Sequence, residues 1–94
     1  MATVKLNGTI RFAACDLSRV LAELPSHIDL TRAAPGCQKF EVDVDPNDSA
    51  LFHVSEVFSD PESFVNHQAR VGTSTWGLIT KHAEREYTIE GLPD

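Results

Sequence analysis

The 94-residue sequence predicts a single α+β domain, spanning residues 1–94, with the element order β-α-β-β-α-β. Three observations predict it. Apolar and polar residues alternate over 3–12, 37–45, 50–58 and 85–92, the period of a half-buried strand. Apolar residues at helical spacing fill the two long gaps between these stretches. Only the turn-forming run Asp45-Pro46-Asn47-Asp48-Ser49 separates the two middle strands, which makes them an antiparallel hairpin.

In the first strand Val4, Leu6, Ile10 and Phe12 share one face, and Lys5, Asn7, Thr9 and Arg11 the other. Gly8 falls on the apolar side, where it permits a bulge or the close approach of another group. Asp16 is placed to cap a helix whose stripe is Leu17, Val20, Leu21, Leu24 and Ile28. Pro25 interrupts that stripe, so the element is one bent helix or two short ones, ending near Ala34 at the Pro35-Gly36 turn. Phe40, Val42 and Val44 define one face of the second strand. In the third, Phe52, Val54, Glu56 and Phe58 oppose Leu51, His53, Ser55 and Val57.

The second helix begins in SDPESF (59–64). Either Ser59 with Glu62 forms a capping box, or Asp60 caps and Pro61 takes the first turn. Phe64, His67, Gln68 and Val71 lie on one face and Gly72 ends the helix; STWGLITKHA (74–83) holds another short helical turn. Right-handed crossovers place the first and third strands side by side and parallel, with the second outside the third and the fourth outside the first. The helices cover one face. The other face, if it holds Phe40, Phe52 or Phe58, is too apolar to stay wet, and a second copy of the chain is its expected cover.

A hydrophobic content of 41% with 23% charged residues is globular. The net charge of −6, with eight scattered Lys and Arg, excludes a phosphate-binding face, so nucleic acid is not an expected partner. Cys15 and Cys37 form no metal or redox pair and read as reduced thiols. No run approaches the ~20 apolar residues of a membrane span, and the start MATVKLNGTIRF lacks the apolar region of a signal peptide. The expected location is therefore cytoplasmic, away from any membrane. The sequence has no nucleotide loop, GxSxG or HExxH, and its four histidines lack ligand spacing, so neither a metal nor a cofactor is expected. DVDPNDSALFHV begins like a calcium loop but has Asp48 in place of its glycine and Val54 in place of its last glutamate.

Pro35-Gly36-Cys37 leading to Phe40, Glu56 followed by Phe58, and His67 in the second helix resemble the antibiotic biosynthesis monooxygenase family, from about Leu6 to Gly91. The resemblance implies a ferredoxin-like subunit and a homodimer closing an α+β barrel. It implies a cofactor-independent oxygenase that acts on phenolic or quinol-type aromatics with dioxygen. One branch of the family degrades haem and carries an asparagine late in its first strand. The matching position here is apolar Ile10, which argues against that activity.

On this reading His67 and Trp76 are the catalytic candidates. His67 shares a helix face with Phe64 and Val71, so its ring points at the sheet. It is either a core histidine satisfied by a carbonyl or by Glu56, or a base that takes a phenol proton. Trp76 is either core packing or a wall along a flat ligand. Asn7, His53, Arg70 and Tyr87 are the substrate-binding candidates, each with an equally simple structural role. The alternative function is a non-catalytic dimeric ligand-binding or stress-response domain, because a fold of this kind hosts many functions. A cavity beside His67 and Trp76 favours the enzyme, and a helix packed flat on the sheet favours the alternative.

Overall fold

The computed structural model describes residues 3–92. Strand β1 (Val4–Arg11) leads through a 3₁₀ turn (Ala14–Asp16) to helix α1 (Leu17–Arg32). Strands β2 (Cys37–Asp45) and β3 (Asp48–Phe58) form the hairpin. Helices α2 (Pro61–Gly72) and α3 (Thr75–Ile79) and strand β4 (Glu84–Glu90) complete the ferredoxin-like order. The sheet runs β2-β3-β1-β4.

Every adjacent pair is antiparallel, including β1 and β3, which corrects the parallel pairing expected for them. The α1 crossover makes β2 parallel to β1, and the hairpin then reverses the chain. Because β3 inserts between β1 and β2, it runs against both.

The hairpin loop is only Pro46-Asn47, with Asp45 opposite Asp48. The Asn47 amide donates to the Asp45 carboxylate at 2.9 Å, and Arg11 pairs with Asp48 at 2.7 Å. Helix α1 is continuous through Pro25. Pro25 and Leu21 are both exposed, so the Leu21 carbonyl that loses its donor meets water. The buried stripe is Val20, His27 and Thr31, with Leu24 and Ile28 partly buried; Leu21 is 54% exposed and leaves the expected stripe. Asp16 stands before α1 but makes no side-chain cap, since the 3₁₀ turn already holds it in helical conformation. At α2 the cap is Asp60, whose carboxylate accepts from the Ser63 amide at 2.8 Å, with Pro61 in the first turn.

All three helices lie on one side of the sheet. Val4, Leu6, Ile10, Phe40, Phe52, Val54 and Phe58 are buried beneath them with Phe64 and Trp76. Phe40, Phe52 and Phe58 therefore face the helices, which corrects the idea that they make the second face apolar. That open face carries Lys5, Asn7, Thr9, Arg11, Glu41, Asp43, His53 and Ser55, as strand alternation and register require. No described helix is long and apolar enough to cross a membrane.

Candidate functional site

The chain from α2 through α3 closes one end of the helix layer. The Ser74 hydroxyl accepts from the Gly77 amide at 3.0 Å and donates to the Val71 carbonyl at 2.7 Å, capping α3 and tying it to α2. A Cβ at Gly77 would collide with the Val71 carbonyl oxygen, so this close turn needs a glycine. Gly72 has open space around its Cα and no positive φ, and the turn does not depend on it. This connection drops Trp76 onto the sheet side, 7% exposed, edge-on to Phe12 at 6.1 Å.

Trp76 stacks on His27 of α1, with ring centroids 4.4 Å apart and planes within 6°. His27 meets Phe40 edge-on at 5.4 Å. Burial, and secondarily the proximity of His67, lower the His27 pKa to about 4, so its ring is neutral at physiological pH. Across the sheet, Tyr87 of β4 pairs with Gly8. A Cβ at Gly8 would lie 2.8 Å from Tyr87 Cδ1 and strike the Glu86 carbonyl, so this glycine serves the close approach that its position suggested.

These groups enclose a pocket of about 220 Å³ between the sheet and the helices. Its walls are Leu6, Ile10, Phe40, Val42, Val54, Trp76 and Tyr87, with His27, Gln68 and Arg85 adding polar atoms. Glu56 of β3 contributes its carboxyl to the same space. Glu56 is 7% exposed, and its Oε1 is buried without a hydrogen-bond partner. Burial pushes its pKa up to about 7, placing its proton equilibrium near neutrality. Arg85 is held by the Thr80 hydroxyl at 2.9 Å and faces the pocket without a carboxylate partner among the described residues.

His67 points at the sheet, as its helical position predicts, and is 4% exposed. It stacks on Phe58 at 4.9 Å, and its Nε2 lies 3.9 Å from Glu56 Oε1, beyond hydrogen-bond length. Burial first, and then Arg70, lower its pKa to about 4. His67 and Arg70 line a second pocket of about 160 Å³ between α1 and α2. Asn7 and His53 lie on the open sheet face, apart from both pockets. There Asn7 accepts from the Ser55 hydroxyl at 2.9 Å, and His53 Nε2 sits 2.8 Å from Asp45.

Of the six sequence candidates, the structure thus brings Trp76 and Tyr87 together, sets His67 and Arg70 in the next space, and leaves Asn7 and His53 on the other face. His27 and Arg85 are the lining residues that sequence reasoning missed. His27 sits three residues after Leu24 and seven after Val20, a spacing that marks it as inward-facing. Among the described residues no three His, Cys, Asp or Glu side chains gather as a metal site.

The sequence profile of the antibiotic biosynthesis monooxygenases matches residues 3–75. The chain belongs to this family. Trp76, Arg85 and Tyr87 lie beyond the matched span, so part of the pocket's polar and aromatic lining comes from outside it. Similar folds include a provisionally assigned family member from Deinococcus radiodurans, 20% identical with a TM-score of 0.79 over 97% of this chain and 93% of that one. A protein of Pseudomonas aeruginosa is 23% identical with a TM-score of 0.73 over 98% and 93% of the two chains. A further provisional member from Nitrosomonas europaea is 11% identical with a TM-score of 0.75 over 96% and 89%. At these identities the likeness is one of fold. No curated protein matches the sequence.

Proposed function

We propose that this family member is a small monooxygenase that oxidises a phenolic or quinol-type aromatic with dioxygen, without a cofactor, in the pocket between sheet and helices. The observation that carries the reading is Glu56 Oε1, a buried carboxyl oxygen left without a partner in a pocket walled by Phe40, Trp76 and Tyr87. A buried polar atom left unpaired costs about 1–3 kcal/mol, and a ligand hydroxyl bonded to the Glu56 carboxyl would offset that cost. Flat aromatic walls suit a flat ring. The volume of about 220 Å³ lies below the roughly 300–1,000 Å³ of drug-sized sites and suits one or two rings.

The chemistry balances without an outside reductant. The phenol gives its hydroxyl proton to a base, and the phenolate passes one electron to dioxygen. The two radicals combine into a ring peroxide. Loss of the proton on that ring carbon breaks the O–O bond, leaving one oxygen as the new quinone carbonyl and the other in water. The substrate is oxidised by four electrons and dioxygen is reduced by four. Glu56, with a pKa of about 7, suits the proton transfers better than His67 at about 4, because a base works best when matched to the working pH. His67 is then the group that packs beside the carboxyl. Trp76 and Tyr87 orient the ring, and the apolar walls exclude water.

The test is to supply 1-naphthol with dioxygen. The expected result is one dioxygen consumed per 1,4-naphthoquinone formed, with no hydrogen peroxide. Oxidation that releases hydrogen peroxide in step with product, or no rate above the protein-free control, would count against it.

A further inference from the structure

We propose that His27 is the partition that sets how long a ligand the buried pocket accepts, dividing it from a second chamber between α1 and α2. The ligand class rests on the monooxygenase reading, and the partition itself on geometry.

Among the described residues, His27 is the one that lines both spaces. On one side is the pocket of about 220 Å³ holding Glu56; on the other is the chamber of about 160 Å³ bounded by Thr31, His67, Arg70 and Ser74. The ring is fixed on both flanks, stacked on Trp76 at 4.4 Å and edge-on to Phe40 at 5.4 Å. No hydrogen bond from its side chain is seen among the described residues, so packing alone holds it there. Neither chamber alone reaches the roughly 300–1,000 Å³ typical of larger ligands, and the two joined would. A ligand of one or two fused rings fits on the Glu56 side. A third ring in line with them meets the imidazole.

The second chamber adds its own lining. It is lined by Leu30 and Val71 as well as by Thr31, His67, Arg70 and Ser74. Removing the imidazole would therefore extend the pocket toward Leu30, Val71 and Arg70.

Calorimetry under argon with 1-naphthol and 1-hydroxyanthracene tests this on the wild type, His27→Ala and His27→Phe. The wild type should bind the three-ring phenol at least about tenfold more weakly than the two-ring one, within the 10–200-fold range that pocket fit supplies. His27→Ala should raise the affinity for 1-hydroxyanthracene relative to that for 1-naphthol by at least about tenfold. His27→Phe, which keeps a ring in place, should keep the wild-type preference. Equal changes for both ligands in His27→Ala would overturn the partition. If the wild type binds neither phenol, the monooxygenase reading fails. The partition is then decided by a crystal structure of His27→Ala under xenon. One continuous xenon-filled space supports it, and two spaces still separated by a shifted Trp76 or Phe40 refute it.

Discussion

At pH 7 the Glu56 carboxyl stands near its midpoint, because burial opposes its charge and no neighbour is close enough to stabilise it. That property is also a stability statement. Native Glu56 keeps its proton up to about pH 7, while an unfolded chain releases it near 4.5. Stability is therefore lost as pH rises from about 4.5 through 7, by roughly 3–4 kcal/mol at most, since each tenfold change in proton affinity is worth about 1.4 kcal/mol. His27 and His67, lowered from 6.5 to about 4, act oppositely, and their contribution is lost as pH falls through that interval. Glu56→Gln should thus gain melting temperature relative to the wild type between pH 5 and 8. Parallel melting curves across that range would show that the carboxyl is not held neutral. Little of this was visible in the sequence. The motif marked Glu56 and strand alternation put it on one face with Phe52, Val54 and Phe58, but which way that face points and an unpaired Oε1 depend on what α2 and β2 leave around it. His67 could be placed on the inward helix face, yet spacing could not tell that its ring would stack on Phe58 rather than line the main pocket.

Among the elements, the α2–α3 connection decides the shape of the site. It sets Trp76 against His27, and it depends on Gly77 passing close beside the Val71 carbonyl. Gly77→Ala should lower stability by about 1–3 kcal/mol, the usual effect of forcing atoms into filled space, and should disturb the Trp76 emission. Gly72→Ala, with nothing near its Cα, should leave that emission unchanged. Measuring both by thermal melting and fluorescence is direct, because Trp76 is the only tryptophan. Equal effects from the two glycines would contradict the geometry. The bounds of the second strand, Cys37–Asp45, are legible in the sequence, but the register shift between Cys37 and Lys39 that breaks its period of two is not. The cap of α2 needed the structure, because Ser59 and Asp60 offer adjacent oxygens and only backbone position decides between them; the Asp60 backbone is extended and its carboxylate reaches the Ser63 amide.

At the scale of the molecule, hydrophobic periodicity and short connections were enough to predict the strand order β2-β3-β1-β4. The direction of β3 against β1 follows from counting chain reversals, and the sheet corrects the parallel reading. The open face proved polar because the large aromatics of β2 and β3 all fall on the helix side. A homodimer remains our proposal, supported by family membership and not by an apolar open face. Sedimentation at micromolar concentration should give twice the 10.3 kDa chain mass, and a clean monomer would remove the closed barrel. The pocket between sheet and helices is lined by residues of all four strands and of helices α1, α2 and α3. Its role is tested most directly by the rate of 1-naphthol oxidation in the wild type and in Glu56→Gln, at equal folded concentration and saturating substrate. The rate should fall by roughly 10²–10⁴-fold when the carboxyl is replaced. Equal rates above the protein-free control would remove Glu56 from the chemistry and the pocket from the reaction proposed for it.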